Sequence, residues 1–186
     1  MKRVFDLLLS ITLLIFLAPL TIFCFLLVKI TSKGPALYWS KRVGVDNSIF
    51  LMPKFRSMKI DTPQLATHLL PDTETFLTPV GSFIRKTSLD ELPQLWSVLS
   101  GDMSFVGPRP ALFNQDDLIK LRTETGVHTL RPGITGYAQI NGRDTISIDE
   151  KAKLDFFYKN NKGFVFDLKI IFSTALSVLK KNDISH

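Results

Sequence analysis

Residues 7–28, Leu7-Leu-Leu-Ser-Ile-Thr-Leu-Leu-Ile-Phe-Leu-Ala-Pro-Leu-Thr-Ile-Phe-Cys-Phe-Leu-Leu-Val28, form one uncharged apolar run. About 20 residues of helix suffice to cross the hydrocarbon of a bilayer. Pro19 lacks an amide donor and its ring crowds the carbonyl four residues back, at Ile15, so a straight helix is penalised at mid-run. Lys2 and Arg3 precede the run, and Lys29, Lys33, Lys41 and Arg42 follow it. Basic residues mark the cytoplasmic side of a membrane, and here both ends carry them. A helix that enters, breaks at Ala18-Pro19 and returns to the same face meets both constraints; a single span kinked at the proline is the alternative. The carbonyls freed near Ile15 need partners in lipid, and Ser10, Thr12 and Thr21 are the hydroxyls within reach. No small-x-small cleavage site follows the run, and Phe23 is too bulky before Cys24 for lipoprotein processing, so Cys24 reads as a packing residue.

Beyond this anchor, taken as residues 1–30, alternation of aromatic and β-branched residues predicts two short strands or extended pieces, Leu37 to Gly44 and Ile49 to Met58. Residues 61–79 hold three prolines among Thr and Asp and read as loop. Residues 88–100 predict a helix with Leu92, Leu95, Trp96 and Leu99 on one face, stopped at Gly101. Polar Asn114 to Thr125 and Glu150 to Tyr158 predict two more helices, and Arg131 to Gly136 and Asn141 to Arg143 are loops. The tail from Phe164 to Lys181 places Leu168, Ile171, Phe172, Ala175 and Leu179 on one stripe. Such a stripe lies in a membrane interface or packs on a core; the pattern alone supports both. The fold class is α/β: a helix-rich single domain, residues 31–186, behind a re-entrant anchor.

Composition narrows the function. Roughly 150 residues beyond the anchor make one ordinary domain. One cysteine and three scattered histidines exclude a disulfide and a Cys/His zinc site. The net charge of +6 suits an anionic membrane surface or a phosphorylated substrate. The basic residues are dispersed and no recognition helix or stacking motif accompanies them, so nucleic acid is not an expected partner. No P-loop or dinucleotide glycine fingerprint is present.

The candidate chemistry centres on Asp90-Glu91. Ser88 with Glu91 three residues on fits a capping box, and Pro93 suits a first turn, which would put both carboxylates at a helix N-terminus. There the macrodipole favours the ionised form, making either a nucleophile or a metal ligand; a plain capping box explains the pattern as well. Lys54 and Arg56 in Lys-Phe-Arg-Ser-Met, Arg85, Arg109 between two prolines, Arg131 and Arg143 are each ordinary surface charges alone. Together they suggest a phosphate-binding set, because guanidinium pairs bidentately with phosphate oxygens. A diphosphate would call for Mg²⁺ held by one or two carboxylates.

Lys54-Phe-Arg-Ser-Met58, Ser88-Leu-Asp-Glu-Leu-Pro-Gln-Leu95, Gly101-Asp-Met-Ser-Phe-Val-Gly-Pro-Arg-Pro110 and Arg131-Pro-Gly-Ile-Thr-Gly-Tyr-Ala-Gln-Ile-Asn-Gly-Arg143 together resemble the bacterial sugar transferases. More narrowly, the chain is similar to the small monotopic phosphoglycosyl transferases. The resemblance implies a Mg²⁺-dependent enzyme at the cytoplasmic face of a bacterial inner membrane. Such an enzyme moves a sugar-1-phosphate from a UDP-sugar, usually N-acetylated, to undecaprenyl phosphate and releases UMP, and its product feeds downstream glycosyltransferases. It also implies that Asp90 attacks the sugar-linked phosphorus to form a covalent phosphosugar intermediate. Asp90 and Glu91 would be the metal ligands, with Glu91 serving through the metal or by handling the acceptor's proton. Lys54, Arg85 and Arg109 would hold phosphates and Arg143 the nucleotide, and Asp155 and Asp167 match acidic positions of the family, though helix-end charges explain them as well. The family's membrane helix usually breaks at Ser-Pro; here the pair is Ala18-Pro19. A membrane-bound phosphatase or hydrolase of polyprenyl or nucleotide phosphates, and a non-catalytic membrane scaffold, are the competing readings of the same residues.

Overall fold

A computed structural model of the chain describes residues 1–63, 73–142 and 146–180. Two helices open it, α1 (Lys2–Phe16) and α2 (Ala18–Thr31), bent by 63° at Leu17. Pro19 sits in the first turn of α2, where its missing amide costs no helical hydrogen bond. The break uses one of the three hydroxyls expected to repair it. Thr21 Oγ1 donates to the Leu17 carbonyl at 2.9 Å, whereas Ser10 and Thr12 bond the carbonyls of Asp6 and Leu8 one turn upstream. At 1.5 Å per residue α1 is about 22 Å long, and among the described residues no single helix is long and apolar enough to cross a membrane.

The first turn of α1 is fastened to the rest of the molecule. Lys2 Nζ pairs with Asp167 and donates to the Val106 carbonyl and the Tyr158 hydroxyl. Arg3 donates to the carbonyls of Val98 and Leu99. Asp6 is buried and accepts from Ser104 Oγ at 2.8 Å and the Phe105 amide at 3.2 Å. The basic residues before the apolar run therefore satisfy acceptors inside the fold. Cys24 and Val28 of α2 are fully buried against Ala36, Phe55 and Ile84, which makes Cys24 the packing residue its context indicated. The opposite faces of both helices expose Leu8, Ile15, Phe16, Ile22, Phe23 and Ile30. Apolar surface that extensive marks a lipid or protein contact.

Strands β1 (Leu37–Val43) and β2 (Ile49–Phe55) pair antiparallel, with Tyr38 opposite Lys54 and Arg42 opposite Phe50. Directly opposite residues share a face, so Tyr38, Ser40, Arg42, Met52 and Lys54 point one way. Helix α3 (Gly81–Lys86) and a single 3₁₀ turn (Leu89–Glu91) lead into α4 (Gln94–Ser100), which buries Leu95 and Val98. Trp96 is 60% exposed, off the buried face its spacing suggested. The polar segment that follows forms α5 (Asp116–Glu124). The short strands β3 (Ser104–Val106) and β4 (Gly133–Thr135) are parallel. Around them Gly107, Gly133 and Gly136 bring two loops backbone to backbone. A Cβ on Gly107 would collide with the Arg131 carbonyl, on Gly133 with the Gly107 amide, and on Gly136 with the Gly107 carbonyl. That crossing explains Gly107, Gly133 and Gly136 and fixes where the Arg109 loop begins.

Helices α6 (Tyr137–Ile140), α7 (Ile148–Asn161) and α8 (Phe164–Lys180) complete the chain. Ser147 caps α7 by accepting from the Glu150 amide. One side of α8 buries Asp167 and Ile170, while Phe164, Val165, Leu168 and Phe172 stay exposed. Leu168 and Phe172 of the expected stripe thus face outward, and Phe164 meets Phe5 of α1 edge-to-face at 5.4 Å.

Asp6→Ala removes the acceptor for two buried donors, and unsatisfied groups of this kind cost about 1–3 kcal/mol each. The variant should show a clearly lowered midpoint of thermal unfolding in detergent; an unchanged midpoint would show that the bonds to Ser104 and Phe105 do not hold α1 in place.

Candidate active site

The two adjacent carboxylates sit on the 3₁₀ turn before α4. Ser88, which precedes it, adopts the left-handed conformation (φ 57°) and makes no side-chain cap bond. The expected capping box is therefore not formed, because the Glu91 carboxylate that would complete it is taken elsewhere. Glu91 Oε1 accepts from Lys54 Nζ and from Arg109 Nη2, each at 2.8 Å. The charge environment of the pair comes from these cations rather than from a helix terminus. Asp90 is 8% exposed, with Oδ2 3.8 Å from Lys54 Nζ.

The two carboxylates respond oppositely. Burial pushes the Asp90 carboxyl above the ordinary aspartate value; Lys54 pulls it down, the negative charge of Glu91 pushes it further up, and Arg85 and Arg109 oppose. Burial also acts upward on Glu91, but there the charges of Arg109 and Lys54 and their hydrogen bonds win, holding it well below the usual range. Of the pair, Glu91 is the fixed anion and Asp90 the more basic, more weakly held carboxylate. Environments that drive neighbouring groups apart in this way are a mark of assigned roles.

Each cation reaches the site along a different element. Lys54 projects from β2 on the face shared with Ser40 and Arg42. Arg85 ends α3. Arg109 follows the glycine crossing, and its main chain is held from two sides. Arg122 Nη1 donates to the Arg109 carbonyl at 2.9 Å, and Arg42 Nη1 donates to the Pro110 carbonyl at 3.1 Å. Arg122 is itself locked by Asp155, at 2.6 and 3.0 Å. Asp155 and Asp167 thus act as buried ion-pair partners, of Arg122 and Lys2, where helix-end charge was the alternative explanation.

The sequence-derived residues are distributed unevenly. Asp90, Glu91, Lys54 and Arg109 converge directly, and Arg85 acts on Asp90 through space. Arg56 is buried and donates to the Lys33 carbonyl at 3.2 Å, bracing the exit from α2. Arg131 is exposed, and its carbonyl backs Gly107. Arg143 lies outside the described residues. Ala18-Pro19 forms the bend. Arg42, Arg122 and the role of Asp155 were missed. Strand alternation pairs Arg42 with Lys54 only once the register is known, and Arg122 lay in a helix read as polar throughout.

A Mg²⁺ ion fits the donor set in one mode. Among the described residues no three metal-binding side chains are grouped, so they form no all-protein cage. Mg²⁺ ordinarily uses one or two carboxylates and completes its shell with phosphate oxygens and water, and Asp90 and Glu91 are the carboxylates that would meet that need here.

The family model for bacterial sugar transferases matches residues 1–181. An uncharacterized sugar transferase of Bacillus subtilis (strain 168), EpsL, is 44% identical over 181 residues, covering 96% of this chain and 87% of its own. The undecaprenyl-phosphate galactose phosphotransferase of Salmonella typhimurium (strain LT2) is 38% identical over 199 residues, covering 98% of this chain and 41% of its own. The UDP-N-acetylgalactosamine-undecaprenyl-phosphate N-acetylgalactosaminephosphotransferase of Aeromonas hydrophila is 36% identical over 183 residues, covering 96% and 43%. The chain spans most of the first relative and about two fifths of the other two.

The opposite shifts of the two carboxylates carry opposite stability signs. A buried acid whose folded pKa is raised costs stability once ionised, while Glu91, held low, contributes stability above the ordinary glutamate value. At neutral pH Asp90→Asn should leave the unfolding midpoint unchanged or raised, and Glu91→Gln should lower it. The Asp90→Asn advantage should fade as pH falls through the raised Asp90 pKa towards the ordinary aspartate value. Equal destabilisation by both variants in thermal scans would refute the electrostatic division.

Proposed function

The chain belongs to the bacterial sugar transferases, and on that premise we propose that it transfers a sugar-1-phosphate from a UDP-sugar to undecaprenyl phosphate. One observation carries the reading: a basic, weakly held carboxylate, Asp90, lies beside a carboxylate already neutralised by two cations. A carboxylate with higher proton affinity is the better nucleophile once ionised, and Glu91, locked by Lys54 and Arg109, is the poorer one. Asp90 is therefore assigned as the attacking group.

In the first half-reaction an Asp90 oxygen forms a bond to the phosphorus bearing the sugar, and the bond from that phosphorus to the bridging oxygen breaks. UMP departs with the bonding electrons and an acyl-phosphate sugar remains on Asp90. In the second, an oxygen of undecaprenyl phosphate bonds to the same phosphorus. The Asp90–phosphorus bond breaks, restoring the carboxylate and yielding the undecaprenyl-diphosphate sugar. Splitting the transfer suits substrates that arrive from different phases, a water-soluble donor and a lipid acceptor. Lys54, Arg85 and Arg109 neutralise and orient the diphosphate, and Glu91 holds Lys54 and Arg109 in place. Mg²⁺, held by Asp90 and Glu91, would supply charge neutralisation for the diphosphate and the departing UMP.

The exposed faces of α1, α2 and α8 are the surface through which the protein would rest in one leaflet of the inner membrane, on its cytoplasmic side. The bend at Leu17, with the first turn of α1 bonded to the same domain that α2 enters, favours a re-entrant anchor over a span. The donor expected from the resemblance is N-acetylated. The relatives named for galactose and for N-acetylgalactosamine set the two sugar classes that a donor panel has to contain.

The test is UMP release by the detergent-solubilised full chain with Mg²⁺, across hexose and N-acetylhexosamine UDP-sugars, with and without undecaprenyl phosphate. Sustained release with one donor, dependent on the lipid and lost in Asp90→Asn, is the expected result. Substantial turnover in that variant would remove Asp90 as nucleophile, and equal turnover without lipid would make the protein a hydrolase. Arg109→Ala should lose roughly 10²-fold in turnover through misplaced phosphate.

A further inference from the structure

Cations gather around the dyad. Lys54, Arg85 and Arg109 act on the two carboxylates, and Arg42 adjoins Arg109 and Glu91. Among the described residues these four cations surround the two carboxylates, and Arg42 bonds to neither of them. It lies on β1, on the face shared with Lys54. Its guanidinium is held by neutral groups, Nε donating to Ser40 Oγ at 3.0 Å and Nη1 to the Pro110 carbonyl at 3.1 Å. No carboxylate among the described residues lies within ion-pair distance of it, and Nη2 has no hydrogen-bond partner among them. Burial and the neighbouring charge of Arg109 pull its pKa down to about 10, so it stays charged at neutral pH at a cost.

A partly buried guanidinium without an anion, set beside a second guanidinium, is an arrangement that gains when an anion arrives. Both side chains are prefixed: Arg42 by Ser40 and Pro110, and Arg109 by Glu91, with its main chain held by Arg122. Little rotamer entropy remains to be lost on binding, and paired guanidinium groups match the oxygens of a diphosphate. We propose that Arg42 is a substrate-binding residue that, with Arg109, forms a two-arginine clamp on the diphosphate of the nucleotide donor. The proposal rests on the transferase reading and deepens it, because it adds to the donor site a residue contributed by β1.

The experiment uses the detergent-solubilised full chain and two probes, UDP and inorganic pyrophosphate, with affinity measured by calorimetry and by the rise in unfolding midpoint over each variant's own unliganded value. Arg42→Gln should weaken both probes about 10- to 100-fold, and Arg42→Lys, which keeps the charge but loses the fork, should weaken them less. Lys41→Gln, on the opposite face of the strand, should bind as the parent does. Adding Arg42→Gln to Arg109→Gln should cause a further loss; no further loss would mean that Arg42 acts only by holding the Arg109 loop, and would overturn the clamp. Parental affinity in Arg42→Gln would overturn it too. Failure of the parent itself to bind UDP would instead strike at the transferase reading, so the two failures are distinguishable.

Discussion

A single carboxylate oxygen, Glu91 Oε1, joins three parts of the molecule that are far apart in the chain. Lys54 reaches it from the β1–β2 hairpin, Arg109 from the loop after β3, and Glu91 itself stands on the turn before α4. Hydrogen bonds to charged groups are the stronger class, and here two of them converge on one atom. Remove that atom and two cations are left facing one another and a basic aspartate. The position of Asp90 is thus a consequence of its neighbour's bonding, and Asp90 is left without a close bond because Glu91 is tied down.

Behind the dyad the same logic repeats with main-chain atoms. Arg122 and Arg42 each donate to a carbonyl of the Arg109-Pro110 pair, and Asp155 holds Arg122. The glycine crossing of Gly107 with Gly133 and Gly136 sets the loop's starting point to within the width of a missing methyl group. On the other side, Arg3 bonds the carbonyls of Val98 and Leu99 near the end of α4, so the helix that follows the dyad also carries the first turn of α1. The turn carrying Asp90 and Glu91 and the helix α1 are therefore positioned together.

Much of this was readable in the chain, for identifiable reasons. Pro19 in an apolar run predicts a break because proline's chemistry is local, and aromatic and β-branched residues between turn formers predict two short strands or extended pieces where β1 and β2 lie, though not their pairing. Lys54, Asp90, Glu91 and Arg109 stood out because each lies in a dense motif. What was not readable depends on contacts across the chain. Ser88 and Glu91 have capping-box spacing, yet the glutamate finds two cations and leaves the box unformed. Arg56 has the neighbourhood of a phosphate binder but braces the Lys33 carbonyl. Arg42 was counted with a basic flank, since nothing local says that its strand faces the dyad. Trp96 keeps helical spacing and still points outward, because the buried side of α4 is set by α1 and β2.

The fastening of Lys2 to Asp167 has a bearing on how the protein is made. Lys2 is made 165 residues ahead of the aspartate that receives it. Loop closure over so long an interval must wait until α8 has been made. Until then the apolar pair α1–α2 lacks this fastening. The bonds of Arg3 to α4 and of Asp6 to β3 can form earlier, so the first turn of α1 is secured in two stages, and the second closes only when α8 arrives.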